Sequence, residues 1–295
     1  MKLQRVVRMG FGEISCRTRH EVSKWLDRRA APRRSGFKGG LSAELIEQCL
    51  EDMPSRFFAG ASDPRVPAIL RERFPDSGLR IIEAADRTLQ KRFDLLGYRQ
   101  LSFGDPIDWH LDPVAWRRTP LLHWTRLDPL DAATVGDSKV VWELNRHQWL
   151  VRLGQAYRLT GDERYADAFA GTIRDWQQAN PPGMGINWTS SLEAAFRLIS
   201  WCWSLSLFRE SAALSPRLRA DLVEGIAAHA ARIERYLSHY FSPNTHLTGE
   251  ALGLFYVGVL FPPLPAAPRW RQVAADILIR ESARQILADG VYMEQ

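Results

Sequence analysis

From Ser138 onward, apolar residues recur at three- and four-residue steps, a period that predicts helices rather than strands. Trp142, Trp149, Leu150, Leu153 and Tyr157 place a first helix over residues 138–159. Thr160-Gly161-Asp162 follows as a turn, with Gly161 suited to a left-handed C′ position and Asp162 to capping the next helix, over residues 163–180. Pro181-Pro182 ends that helix. Ser190 and Glu193 have capping-box spacing and open a third helix over 192–208. Ser215-Pro216 opens a fourth, reaching about residue 239. A fifth covers 247–260 and a sixth 266–288.

Upstream the pattern is less regular. Residues 1–40 read as an amphipathic helix followed by a loop at 30–36. Residues 41–95 alternate helical pattern with the breakers Pro54, Pro64, Pro67 and Pro75, and one short apolar run falls near Ile81. Residues 96–137 are rich in Pro, Asp and Trp and lack periodicity. A loop of that length inside a compact domain is usually functional or disordered, and its aromatic content favours order. The expectation is an all-α chain, with an N-terminal helical arm and first helices over 1–92 and a helical core over 93–295. Paired helices with functional-looking loops at alternate junctions suit an incomplete (α/α) toroid of antiparallel helical hairpins. Periodicity alone also allows a bundle or a solenoid.

Charge narrows the class of partner. A net charge of +5 attracts polyanions, and much of the basic character lies in residues 1–38, with Arg28-Arg29 and Arg33-Arg34. No nucleic-acid motif accompanies it, so no nucleic-acid partner is expected. The longest apolar stretch, residues 252–264, is broken by Pro262-Pro263 and is too short for a membrane span. Residues 1–21 lack the apolar run of a secretory signal. The chain therefore reads as cytosolic, or as one whose export signal lies outside it. Cys16, Cys49 and Cys202 form neither a disulfide framework nor a metal cluster, and no cofactor is expected. The 11 tryptophans supply stacking surface for sugars, although most tryptophans serve a core.

Three polar clusters carry the candidate chemistry. They are Trp142-Glu143-Leu144-Asn145-Arg146-His147-Gln148, Asn187-Trp188-Thr189-Ser190-Ser191-Leu192-Glu193 with Arg197, and Ser242-Pro243-Asn244-Thr245-His246-Leu247-Thr248-Gly249-Glu250. Helical spacing puts Glu193 beside Arg197 and His246 beside Glu250. Asn145, Arg146 and His147 point in different directions, so at most two face one groove. Each also has a plain structural reading: Glu193–Arg197 as a helix ion pair, Asn244 as an N-cap, His147 as a hydrogen-bonded core histidine.

These clusters, with Gly136-Asp137-Ser138-Lys139 before the first and Asp289-Gly290-Val291-Tyr292-Met293-Glu294-Gln295 at the end, resemble the N-terminal domain of the heparinase II/III polysaccharide lyases. The motifs occur in the same order, from about Phe93 to Gln295. The resemblance implies an incomplete α/α toroid followed by a β-sandwich domain of the same chain, a periplasmic setting, and β-elimination on acidic, uronic-acid-containing polysaccharide such as heparan sulfate, alginate or an exopolysaccharide. Elimination removes a C5 proton beside a carboxylate, so donors must offset the charge that builds there. The resemblance gives that catalytic role to Asn244 and His246, and sugar binding or support to Asn145, Arg146, His147, Trp188, Glu193, Arg197 and Glu250. Family members often place Asn directly before His, whereas Thr245 intervenes here. The family's catalytic tyrosine falls beyond Gln295, and a further histidine comes from the β-sandwich. A glycoside hydrolase using a pair among Glu143, Glu193 and Glu250 is one rival. A non-catalytic module that binds acidic polysaccharide is the other. The lyase reading predicts that these 295 residues alone give no unsaturated-uronate absorbance from uronate polymers; clear turnover contradicts it.

Overall fold

The structure, a computed structural model, describes residues 9–29 and 40–293. The expected loop at 30–36, with Arg33-Arg34, and the final Glu294-Gln295 lie outside the described residues. In chain order the helices are α1 (Phe11–Arg29), α2 (Ala43–Arg56), α3 (Ala59–Ser62), α4 (Arg65–Arg73), α5 (Pro75–Leu89), α6 (Ala132–Val135), α7 (Ser138–Asn145), α8 (Gln148–Thr160), α9 (Arg164–Ala179), α10 (Ser191–Leu207), α11 (Pro216–Arg235), α12 (Thr245–Leu260) and α13 (Ala267–Gln285).

The caps at Ser190, Ser215 and Gly161 fall where local chemistry put them, whereas the N-cap of α9 is Glu163, without a side-chain cap bond, rather than Asp162. Ser190 Oγ accepts from Glu193 N, and Ser215 Oγ accepts from Leu218 N with Pro216 in the first turn. Gly161 ends α8 in the left-handed region at φ 73°. The fourth helix stops at Arg235, short of the expected 239, and a larger difference lies upstream. The predicted helix over 138–159 is two helices, because His147 takes φ 60° and ψ 19° and turns the chain between α7 and α8. Apolar spacing continues through the break, so periodicity does not reveal it.

The 96–137 region is ordered by short pieces. A hairpin pairs β1 (Phe93–Leu95) with β2 (Tyr98–Leu101), and a second pairs β3 (Leu111–Asp112) with β4 (Arg117–Arg118). A 3-10 turn at Trp124–Arg126 and the short α6 follow. The buried Trp109 anchors the region, its indole N–H donating to Asp175 Oδ2 at 2.8 Å.

Helix α10 is the hub. It is buried around most of its circumference, as expected of a helix surrounded by others, and packs against α8, α11 and α12. Helix α12 in turn packs closely along α13. A Cβ at Gly258 of α12 would meet the Arg271 backbone N at 2.6 Å, so glycine sets that approach. Trp176, Trp188 and Trp201 fill the centre, each burying roughly 150–250 Å². Cys202 beside them is wholly buried, and burial raises its thiol pKa, which suits an inert core position. Among the described residues, no helix is long and apolar enough to cross a membrane.

Candidate active site

The three sequence clusters meet where α7 and α11 end and α10 and α12 begin. Two of them contribute mainly framework. Arg197 is completely enclosed. Its Nε donates to Asn145 O at 2.7 Å, Nη2 to Asn187 O at 3.1 Å, and Nη1 to His229 Nε2 at 3.0 Å. The guanidinium also lies 4.5 Å from the centre of the Trp176 ring. Because His229 Nε2 accepts, its proton sits on Nδ1 and goes to Gly225 O at 2.7 Å. Burial pushes the Arg197 pKa down to about 9 and holds His229 well below the usual imidazole range, so the first stays charged and the second neutral at neutral pH.

Asn145 completes this network. Its amide donates to Trp109 O at 3.0 Å and Val141 O at 2.8 Å, while Oδ1 accepts from Trp176 Nε1 at 2.7 Å. His147 is equally enclosed: Nδ1 accepts from Trp201 Nε1 at 2.9 Å, and burial keeps the ring neutral. Trp188 is 2% exposed and stacks on His229 at 4.8 Å. In this conformation Asn145, His147, Trp188 and Arg197 therefore present no surface to a sugar. They fix the spacing of the elements that do.

The expected Glu193–Arg197 pair does not form. Glu193 takes both its oxygens to Arg146, at 2.6 and 3.0 Å, and Arg146 Nη1 reaches Glu143 at 2.7 Å. Arg146 also lies over Phe196 at 4.7 Å. One partly exposed guanidinium thus braces α7 against α10, with two carboxylates attached.

The third cluster reaches solvent. Asn244 caps α12, Oδ1 accepting from His246 N at 3.3 Å, and His246 Nδ1 lies 3.2 Å from the same oxygen. That oxygen can only accept, so Nδ1 carries the proton, and the Asn244 amide donors and His246 Nε2 are left for other partners. Asn244 is half-buried and His246 exposed. Glu250, one turn on, does not join His246. It is 1% exposed and clamps Ser238, accepting from N at 2.8 Å and from Oγ at 2.7 Å. On the other side Gln285 donates to Pro243 O at 3.0 Å and accepts from the Tyr292 hydroxyl, which lies 3.4 Å from Thr248 Oγ1. Ser238, Gln285 and His229 were missed by sequence reasoning, since each acts through contacts distant in the chain. Among the described residues, no group of three or more His, Cys, Asp or Glu could hold a metal ion.

These features can be set beside known proteins. The family model described as Heparinase II/III N-terminus matches residues 79–295. The heparin-sulfate lyase of Pedobacter heparinus is 30% identical, over 72% of this chain and 29% of its own length. That of Bacteroides stercoris is 28% identical, over 71% and 31%. The crystal structure of heparan sulfate lyase HepC from Pedobacter heparinus superimposes with a TM-score of 0.62 at 25% identity, covering 85% of this chain and 36% of that one. The helical hairpins thus form an incomplete α/α toroid, and the chain belongs to the heparinase II/III N-terminus family. It spans under a third of the length of these curated relatives.

Glu250 gives the site a pH signature. Burial pushes its carboxyl up to about 7, against the Ser238 hydrogen bonds that lower it. The folded chain therefore holds this proton more tightly than the unfolded one. The resulting stabilisation is full below the ordinary value of 4.5 and is lost as pH rises to about 7. A shift of that size corresponds to about 3 kcal/mol. Glu250→Gln cannot ionise, so its urea midpoint should lack the decline that the parent chain shows across this window. Identical pH slopes contradict the assignment.

Proposed function

We propose that this chain is the toroid part of a polysaccharide lyase that cleaves uronic-acid-containing polysaccharide by β-elimination, with substrates of the heparan sulfate class foremost. The relatives' names support the substrate class. The pairing of Asn244 with His246 at the exposed start of α12 carries the reading. The Asn244 oxygen is engaged by His246, which leaves the amide hydrogens as donors. It is placed to hydrogen-bond a uronate carboxylate and so to stabilise the charge that develops when the C5 proton leaves. The electron pair of that C–H bond forms the C4–C5 double bond, the C4–O bond breaks, and the leaving oxygen takes a proton. His246 Nε2 lies beside this position as a second contact. The groups that move the two protons are assigned to the remainder of the full-length protein, a β-sandwich domain included.

The other candidates take supporting roles. Arg146 with Glu193 and Glu143 braces one wall, Glu250 sets the segment that delivers Asn244, and Asn145, His147, Trp188 and Arg197 hold the floor. In this reading the toroid core of the lyase is residues 93–295, with the N-terminal helical arm and first helices over 1–92. A hydrolase fits less well. It needs two carboxyl groups free to flank a glycosidic bond, whereas Glu143 and Glu193 share Arg146 and Glu250 is enclosed on Ser238.

In the full-length protein acting on heparan sulfate, Asn244→Ala is expected to lower kcat by about 10²–10³, the usual cost of removing one donor to a developing anion. The effect on KM should be smaller, and the parent should release products bearing the unsaturated-uronate absorbance. Cleavage without that chromophore indicates hydrolysis. Salt-sensitive binding without cleavage indicates a binding module. Either result overturns the proposal.

A further inference from the structure

The segment between α11 and α12, residues 236–244, carries Asn244 to its position without helix or strand of its own. Ordering such a segment costs conformational entropy, so something must offset it. Glu250 and Gln285 hold two points from the toroid. The remaining face is held by α1, which lies ahead of the residues matched by the family.

Helix α1 bridges two loops. Near its C-terminus Asp27 accepts from the Tyr236 hydroxyl at 2.7 Å with one oxygen and from Arg235 Nη1 at 2.7 Å with the other. Next to it, Arg28 Nε donates to Thr125 Oγ1 at 2.8 Å. Toward the N-terminus Arg17 Nη2 donates to Tyr240 O at 3.2 Å, and its guanidinium lies 4.6 Å from the centre of the Phe241 ring. Between these points the buried His20 stacks on Phe241 at 5.9 Å and tilts against Tyr236 at 5.5 Å. Tyr236 is the common node. Its backbone oxygen accepts from Ser191 Oγ at the start of α10, and its ring meets Trp124 edge-on at 5.0 Å. Burial, together with the hydroxyl's donation to Asp27, raises the Tyr236 pKa, so it stays a donor at working pH.

We infer that α1 is a positioning strap and that Asp27 is its key residue, fixing Tyr236 and hence the segment that presents Asn244 and His246. Asp27 touches no residue expected to react, so it acts through the segment. The consequence for turnover rests on the lyase reading; the ordering of the segment does not.

The test uses the full-length protein with Asp27→Ala, Asp27→Asn and Tyr236→Phe. Hydrogen exchange should quicken by about tenfold in residues 237–244 of Asp27→Ala, while residues 148–179 and the melting midpoint stay close to the parent. Asp27→Asn keeps an acceptor for the Tyr236 hydroxyl and loses the ion pair with Arg235, so it should fall between. With a uronate polymer as substrate, kcat of Asp27→Ala and Tyr236→Phe should fall by about tenfold with KM little changed. The double variant should lose no more than either single change. Unchanged exchange in 237–244, or parental kcat alongside quickened exchange, overturns the strap. A parent that releases no unsaturated product overturns the lyase reading, and the exchange result then decides the strap by itself.

Discussion

A single buried guanidinium ties the site's walls together. Arg197 sits without a carboxylate partner at bonding distance, which is costly unless its donors are otherwise satisfied. They are spent on the carbonyl where α7 ends, on the carbonyl of the 3-10 turn at Ile186–Trp188, and on His229 of α11. Backbone carbonyls cannot be re-aimed by a rotamer change, so each of these bonds fixes a main-chain position. Helix α7, the 3-10 turn, α10 and α11 thereby hold one relative arrangement, with Trp176 under the charge and Asn145 bonded to Trp176 in turn.

That arrangement divides the polar residues into an inner set and an outer edge. Most of the inner set is paired: histidines held neutral by burial, amides bonded to carbonyls, indole N–H groups bonded to acceptors, with His147 Nε2 and Asn187 Oδ1 the buried atoms of the set left without a partner among the described residues. Such a network is rigid because any member left unpaired in the interior is expensive. The outer edge keeps donors toward solvent. Arg146 braces it, Glu250 and Gln285 pin the 236–244 segment, and Asn244 with the exposed His246 stands at the start of α12. Preorganised donors of this kind are what elimination beside a carboxylate requires, since reorientation at the moment of reaction would consume the stabilisation they offer.

Much of the fold was legible in the sequence because helices are local. The Ser190 and Ser215 caps, Gly161 and the apolar steps placed α8 to α13 within a few residues, and the ordered motifs pointed to the family. The site was less legible for a physical reason: spacing shows which side chains are neighbours on one helix but not which partner wins. Glu193 and Arg197 are one turn apart, yet Glu193 pairs with Arg146 and Arg197 with carbonyls from other elements. His147 kept its place in the apolar pattern while its backbone turned left-handed, so α7 and α8 read as one helix. The hairpins within 93–118 are too short to print an alternating pattern. Asp27 carried no signal, because Tyr236 lies far along the chain. Trp188, offered for sugar binding or support, lies buried, whereas His246, one of several polar residues in its motif, is the one left exposed.

The most direct measurement is a crystal structure of the full-length protein, in an inactive form, with a uronate oligosaccharide bound. The uronate carboxylate is expected within hydrogen-bond distance of the Asn244 amide, with His246 beside it, and Arg197, Asn145 and His147 still enclosed and bonded as they are here. A carboxylate bound to Arg197 or Arg146, with Asn244 out of contact, would contradict the division between framework and working edge.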